Sequence, residues 1–226
     1  MKKVFLLLSI LFILSSCGKS DEEKLNELVA NATKAILYIP ESYDPVSTNC
    51  DSLLTDIVTE ANVKKVSKII ELVKEAQSAQ QDMERDIESR EYWRGQYGKL
   101  YNEYAAKAEK AETKYNKSLT EAQNLLNQLL TDYRHDDGFQ GYIVNHRFRA
   151  QNNAGNVLFG EYLFILNKDK TEIVAGYDVE SEDFLNFTQM IGQLREIDYD
   201  VPVEEIDIIE LCDNIKSKFE LQYSRR

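Results

Sequence analysis

Apolar positions change their spacing several times along the chain. Residues 4–14 form an apolar run, interrupted only by Ser9, behind Lys2 and Lys3. From residue 21 the spacing becomes helical: Leu25, Leu28, Val29, Ala32, Ala35 and Ile36 predict a helix over residues 21–38. Pro40 ends it, because a residue ahead of proline avoids the α region. Residues 38–51 hold Pro40 and Pro45 and read as an extended loop, pinned by Tyr38, Ile39, Tyr43 and Val46.

Helical spacing then returns. Ile57, Val58, Ala61, Val66, Ile69, Ile70, Val73 and Ala76 predict a helix over residues 52–79. A second stretch, residues 80–133, carries the stripe Tyr97, Tyr101, Tyr104, Ala108, Ala111, Tyr115, Leu119, Ala122, Leu126, Leu129 and Tyr133. Its small residues allow close helix packing. Gly95 and Gly98 each cost roughly 1 kcal/mol inside a helix, which favours a break or bend near them. The tyrosines fit a carbohydrate platform or, more simply, the seam of a helical hairpin.

After Gly138 the period becomes two. Tyr142, Val144, His146 and Phe148 alternate with Ile143, Asn145, Arg147 and Arg149, which predicts a strand. Residues 152–155 (NNAG) supply a turn that tolerates positive φ. Residues 157–166 and 173–177 predict two more strands. A three-stranded antiparallel meander has an open apolar face that needs a cover. The following helix, with Phe184, Leu185, Phe187, Ile191 and Leu194, can supply it, and a last helix is expected over residues 204–223. The expected class is therefore α+β: a long-helix hairpin or bundle, then a three-stranded meander covered by C-terminal helices. The expected division is a signal peptide (1–16), a lipidated tether (17–24), a helical region with a Pro-containing loop (25–134, loop 38–51), and an α+β head (135–226).

Composition narrows the partners. Asp and Glu total 39 against 27 Lys and Arg, so the chain carries a formal charge of −12. Such a body argues against nucleic acid and against electrostatic adhesion to anionic lipid. Hydrophobic residues make up 43 %, enough to build a core.

The leader explains how so acidic a chain can be held at a membrane. The eleven residues of the run reach about 16 Å as a helix, well short of a hydrocarbon core of about 30 Å. Leu14-Ser15-Ser16-Cys17 closes the run. This resembles the bacterial lipoprotein signal, which implies that Cys17 becomes an acylated N-terminus; an ordinary secretory signal is the alternative. Residues 20–23 (SDEE) resemble the acidic export tract of Bacteroidota surface lipoproteins. They equally suit a helix N-terminus, with Ser20 as cap and Glu23 three residues on. The expected location is the outer membrane, lipid-anchored at the cell surface, with a periplasm-facing protein as the alternative. Residues 141–142, 146–150 (HRFRA), 152–156 (NNAGN) and 164–169 (FILNKD) are similar to the C-terminal region of small lipoproteins of gut Bacteroidota. Residues 43–47 (YDPVS) and 51–52 resemble their N-terminal loop. The likeness implies a fold and no catalytic residues. In the same lineage Asp51-Ser52-Leu53 resembles an O-glycosylation sequon, which makes Ser52 a candidate site; a helix start is the alternative.

Little catalytic chemistry is legible. His135 sits at an expected helix end beside Asp136 and Asp137, and His146 lies on an apolar strand face. Arg147 and Arg149 share the opposite face, suited to an anion or to neighbouring acids. Cys50 and Cys212 form a candidate disulfide or remain separate thiols. No metal-ligand spacing or phosphate loop is present, so no catalytic, cofactor or metal residue is assigned. The expectation is a non-enzymatic binding or structural module anchored to a membrane at Cys17, with a protein or glycan partner. An envelope hydrolase with scattered site residues is the alternative.

Overall fold

A computed structural model describes residues 20–54, 57–95, 97–134, 138–197 and 201–217. In chain order these form α1 (Asp21–Ile36), a 3-10 turn (Pro40–Ser42), β1 (Asp44–Leu53), α2 (Glu60–Tyr92), α3 (Gly98–Arg134), β2 (Gly141–Gln151), β3 (Val157–Leu166), β4 (Ile173–Asp178), α4 (Glu182–Glu196), a second 3-10 turn (Val203–Glu205) and α5 (Ile208–Asp213). The protein is a mixed α+β chain built on one antiparallel sheet.

The sheet has four strands in the order β1-β2-β3-β4, which corrects the expected three. The additional strand, β1, lies where an extended loop was expected. Its sequence lacks an apolar alternation, and Pro45 argues against a central strand. Both features suit an edge, where one side needs no ladder. A register shift between Pro45 and Ser47 absorbs the proline, and the rest pairs regularly with β2, from Ser47↔Arg147 to Leu53↔Gly141.

The sheet is packed on both faces. One face carries Val144, Phe164 and Leu166, against which α1 places Leu25 and Val29. The other turns Leu163 and Tyr177 toward the larger core built from α2, α3, α4 and α5. The expected cover by C-terminal helices holds for one face, where Phe184 of α4 stacks on Tyr177, and the other face is covered differently. A helix from the N-terminal end of the chain protects that other face, and α4 packs chiefly along α2.

α2 and α3 are about 50 and 55 Å long at 1.5 Å per residue, and they pair as a hairpin. The break falls between Tyr92 and Gly98, where Gly95 has φ 77°, as the two glycines led one to expect; the helix boundary also expected at residues 79–80 lies inside α2. Thr59 caps α2 by accepting from the Asn62 N–H at 3.1 Å, so that helix starts at Glu60 and not at Ser52. Near the sheet the hairpin seam is large: Val66, Ile69, Val73, Leu126 and Leu129 are buried. Farther out it narrows to Ala76, Ala79, Ala108 and Ser118. The last expected helix is cut to the 3-10 turn and α5; its remainder, from residue 218, lies outside the described residues.

Candidate functional site

Turn chemistry at one end of the sheet builds an arm. The Asn152 side chain accepts from the N–H groups of Ala154 (2.9 Å) and Asn156 (3.0 Å), and Gly155 takes φ 79°. This Asx-type turn fixes the register of β2 and β3 along their whole length, from Gln151↔Val157 to Tyr142↔Leu166. β4 is shorter. It pairs with β3 from Leu166↔Ile173 only as far as Tyr162↔Asp178. One more bond follows, from the Val179 N–H to the Glu161 carbonyl at 3.2 Å. Ser181 then accepts from the Phe184 N–H and caps α4, which carries the chain out of the sheet.

The outer part of β3 is left without a neighbour on that side among the described residues. Backbone groups alternate in direction along a strand. Since the Glu161 carbonyl points toward β4, the N–H and C=O of Phe159 and Val157 point the same way. Val157, Leu158 and Phe159 are 61 %, 53 % and 68 % exposed. Three consecutive exposed apolar residues leave apolar surface on both faces of the strand at this end of the arm. The Arg149 guanidinium lies 6.0 Å from the centre of the Phe159 ring and pairs with Asp44 at 2.8 Å. Gly160 has no side chain for a local reason: a Cβ there would stand 2.5 Å from the Phe148 ring.

A buried histidine steadies the root of this arm. His146 is 1 % exposed, with Nε2 3.0 Å from the Tyr43 hydroxyl and Nδ1 3.0 Å from the Thr48 hydroxyl. A neutral imidazole donates from one nitrogen and accepts at the other, so two hydroxyls satisfy it. Its ring also stacks on Phe148 at 5.7 Å. Burial pushes its pKa below the ordinary value, opposed by a weaker hydrogen-bond contribution at the Ser47 backbone. Both ring nitrogens are occupied in holding β1 against β2, which is a structural use of the side chain.

A second aromatic group caps the helical hairpin. Tyr92 and Tyr97 are 69 % and 61 % exposed and meet Trp93 edge-on, at 4.9 and 5.7 Å between ring centres. Behind them the Arg90 guanidinium lies 5.9 Å from the centre of the Tyr101 ring. The tyrosine stripe thus does two jobs: its inner positions line a seam and its outer ones form an exposed tip.

The remaining sequence candidates are dispersed. Cys17 and His135 lie outside the described residues. Residues 20–23 begin α1 with a reciprocal capping box: the Glu23 N–H donates to Ser20 at 3.2 Å, and the Ser20 N–H donates to the Glu23 carboxylate at 2.8 Å. Ser52 is exposed on β1, opposite Tyr142. The candidate disulfide does not form. Cys50 and Cys212 are free thiols, one packed beside the α1 core and the other beside the α2–α5 core on the far side of the sheet. Burial pushes the Cys212 thiol up to about 12, with Asp213 adding to the shift and Lys74 opposing it, so it behaves as a small apolar group. Arg147 pairs with Glu161 at 3.5 Å. Among the described residues no cluster of metal-ligating side chains occurs, and no helix is long and apolar enough to cross a membrane.

The open edge of β3 escaped the sequence reading. The signal was present: three consecutive apolar residues directly after a turn, facing a β4 segment only half as long as β3.

Comparison with known proteins places nothing beside this architecture: no family model, curated protein or solved structure matches the chain.

Proposed function

We propose that this chain is a cell-envelope lipoprotein, held at the outer membrane by acyl chains on Cys17 with its body on the cell surface. It acts as a non-enzymatic binding module, and its contact surface is the outer end of the β2–β3 arm. The observation that carries the binding reading is the exposure of Val157, Leu158 and Phe159 together on one strand. A partner that covers them gains the free energy of removing apolar surface from water, about 25 cal/mol per Å². Supporting the address are the short apolar leader, the lipobox ending at Cys17, and a net charge that leaves lipidation as the means of attachment.

Metabolic labelling with palmitate tests the anchor. The wild-type chain should take up label and remain with the membrane fraction, and Cys17→Ser should do neither. Equal labelling of both would remove the anchor. Protease added to intact cells tests the surface location, which fails if the body is cut only after lysis. The intact mass of the same material reads Ser52: a value equal to acylated polypeptide alone excludes a glycan there. Retention of a stoichiometric partner by the surface-anchored chain tests the binding role.

A further inference from the structure

The open edge of β3 has a chemistry that selects its occupant. Val157 and Phe159 each turn an N–H and a C=O away from β2, on the line that β4 follows until Asp178. In register, the ladder pairs Leu163 with Tyr177 and then bonds Glu161 to Val179. Its continuation past Ser181 is prevented by the α4 cap, not by anything covering the strand. Four backbone groups spaced as a ladder are recognised best by another ladder, that is, by an extended polypeptide.

Side chains define what that polypeptide carries. By strand alternation Val157 and Phe159 share a face with Leu163, and Leu158 lies on the opposite one. A partner strand therefore needs apolar residues at alternate positions to cover Val157 and Phe159. At the inner end of the edge, where the partner would abut the departing chain, stands Asp178, opposite Tyr162, with Glu161 beside it paired to Arg147. A basic residue suits that end. A second copy of this chain suits it poorly, since each copy brings a charge of −12.

We propose that the exposed edge of β3, residues 157–159, binds an extended polypeptide by strand addition, antiparallel to β3. The bound segment carries apolar side chains at alternate positions and a Lys or Arg at its N-terminal end, next to Asp178. This rests on the binding-module reading and assigns its partner class.

The test uses the full chain in detergent and two synthetic peptides, Lys-Thr-Val-Thr-Val-Thr-Val and its twin with Glu in place of Lys. Hydrogen exchange is read at the amides of Val157 and Phe159. Both should exchange fast in the free protein and slow by at least about tenfold with the Lys peptide, equivalent to about 1.4 kcal/mol. The Glu peptide should bind more weakly. N-methylation of alternate peptide amides should abolish protection in one register and spare it in the other. That readout needs no change to the protein. Phe159→Thr, which keeps the backbone donor and a strand-compatible side chain, should weaken binding about tenfold.

Three results would overturn the proposal: no protection by either peptide, binding indifferent to methylation in both registers, or protected Val157 and Phe159 amides in a dimer without peptide. The fate of the broader reading is separable. If the surface-anchored chain keeps a partner while the Val157 and Phe159 amides stay unprotected, strand addition is wrong and the binding module stands. If the wild-type chain keeps none, the module itself fails.

Discussion

The protein extends two arms, and they end in opposite ways. The α2–α3 hairpin closes its interior backbone hydrogen bonds within its own helices; its tip exposes Tyr92 and Tyr97 beside Trp93, and only the two helix ends leave backbone groups to water. The β2–β3 arm depends on neighbours for its backbone bonds and runs out of them where β4 stops. The flank of a helix needs no partner for its backbone, and the orphan groups at its ends are few and confined to one turn. An exposed strand edge is incomplete, because each outward N–H and C=O can still form a directional bond. Exposure of aromatic surface alone would rank the two tips as equals; backbone accounting separates them.

The largest expected contrast lies between the roots and the tips. Leu129→Ala opens a cavity where the helical arm joins the common core and should cost about 2–5 kcal/mol. Phe159→Ala, at the other extremity, removes a side chain already in water and should stay within about 0.5 kcal/mol. Urea unfolding midpoints measure both, and equal losses would mean that Phe159 is packed against something in solution. A middle-sized effect belongs to the helical arm alone. Ala79 is buried in the narrow seam, so Ala79→Leu should force the helices apart at a cost of about 1–3 kcal/mol. No change in the midpoint would show that the outer hairpin is already open.

The smallest effect is confined to the root of the strand arm. Burial depresses the His146 pKa below its unfolded value of about 6.5. In the window between those values the unfolded chain binds a proton that the native state refuses. Stability from this residue is therefore full above about pH 6.5 and falls as pH drops toward the native pKa. The many carboxylates also titrate on acidification, so the difference between wild type and His146→Gln isolates the histidine. Wild type should lose more on acidification below pH of about 6.5 than the variant does. The reverse slope would mean that the native site prefers imidazolium.

Much of the fold can be read from single segments because their constraints are local. The helical stripe from Ala108 to Leu129 and the alternation from Tyr142 to Phe148 survive in the structure with little change. So does the NNAGN turn, whose Asn152 and Gly155 act within five residues. β1 was hidden because an edge strand of Ser, Thr, Asn and Asp needs no apolar pattern, and its partner lies almost a hundred residues away. Gly95 and Gly98 marked the break between the long helices, while the boundary expected at residues 79–80 falls inside α2, where Ala76 and Ala79 are buried in the hairpin seam. The open edge of β3 depended on where β4 ends, and that depends on Ser181 capping α4, a tertiary accident of length that no periodicity in β3 records. His146 was legible as a buried strand residue, but its hydroxyl partners Tyr43 and Thr48 came from the strand and turn that the pattern concealed.

The sheet stands as a partition between two cores that meet it on opposite faces. α1, the element nearest to Cys17, touches only the smaller one. Tension arriving ahead of Ser20 is therefore carried by Leu25 and Val29 against Val144, Phe164 and Leu166 before it reaches any residue of the helical hairpin. The long helices lie off that load path, mechanically sheltered behind the sheet from whatever pulls on the beginning of the chain.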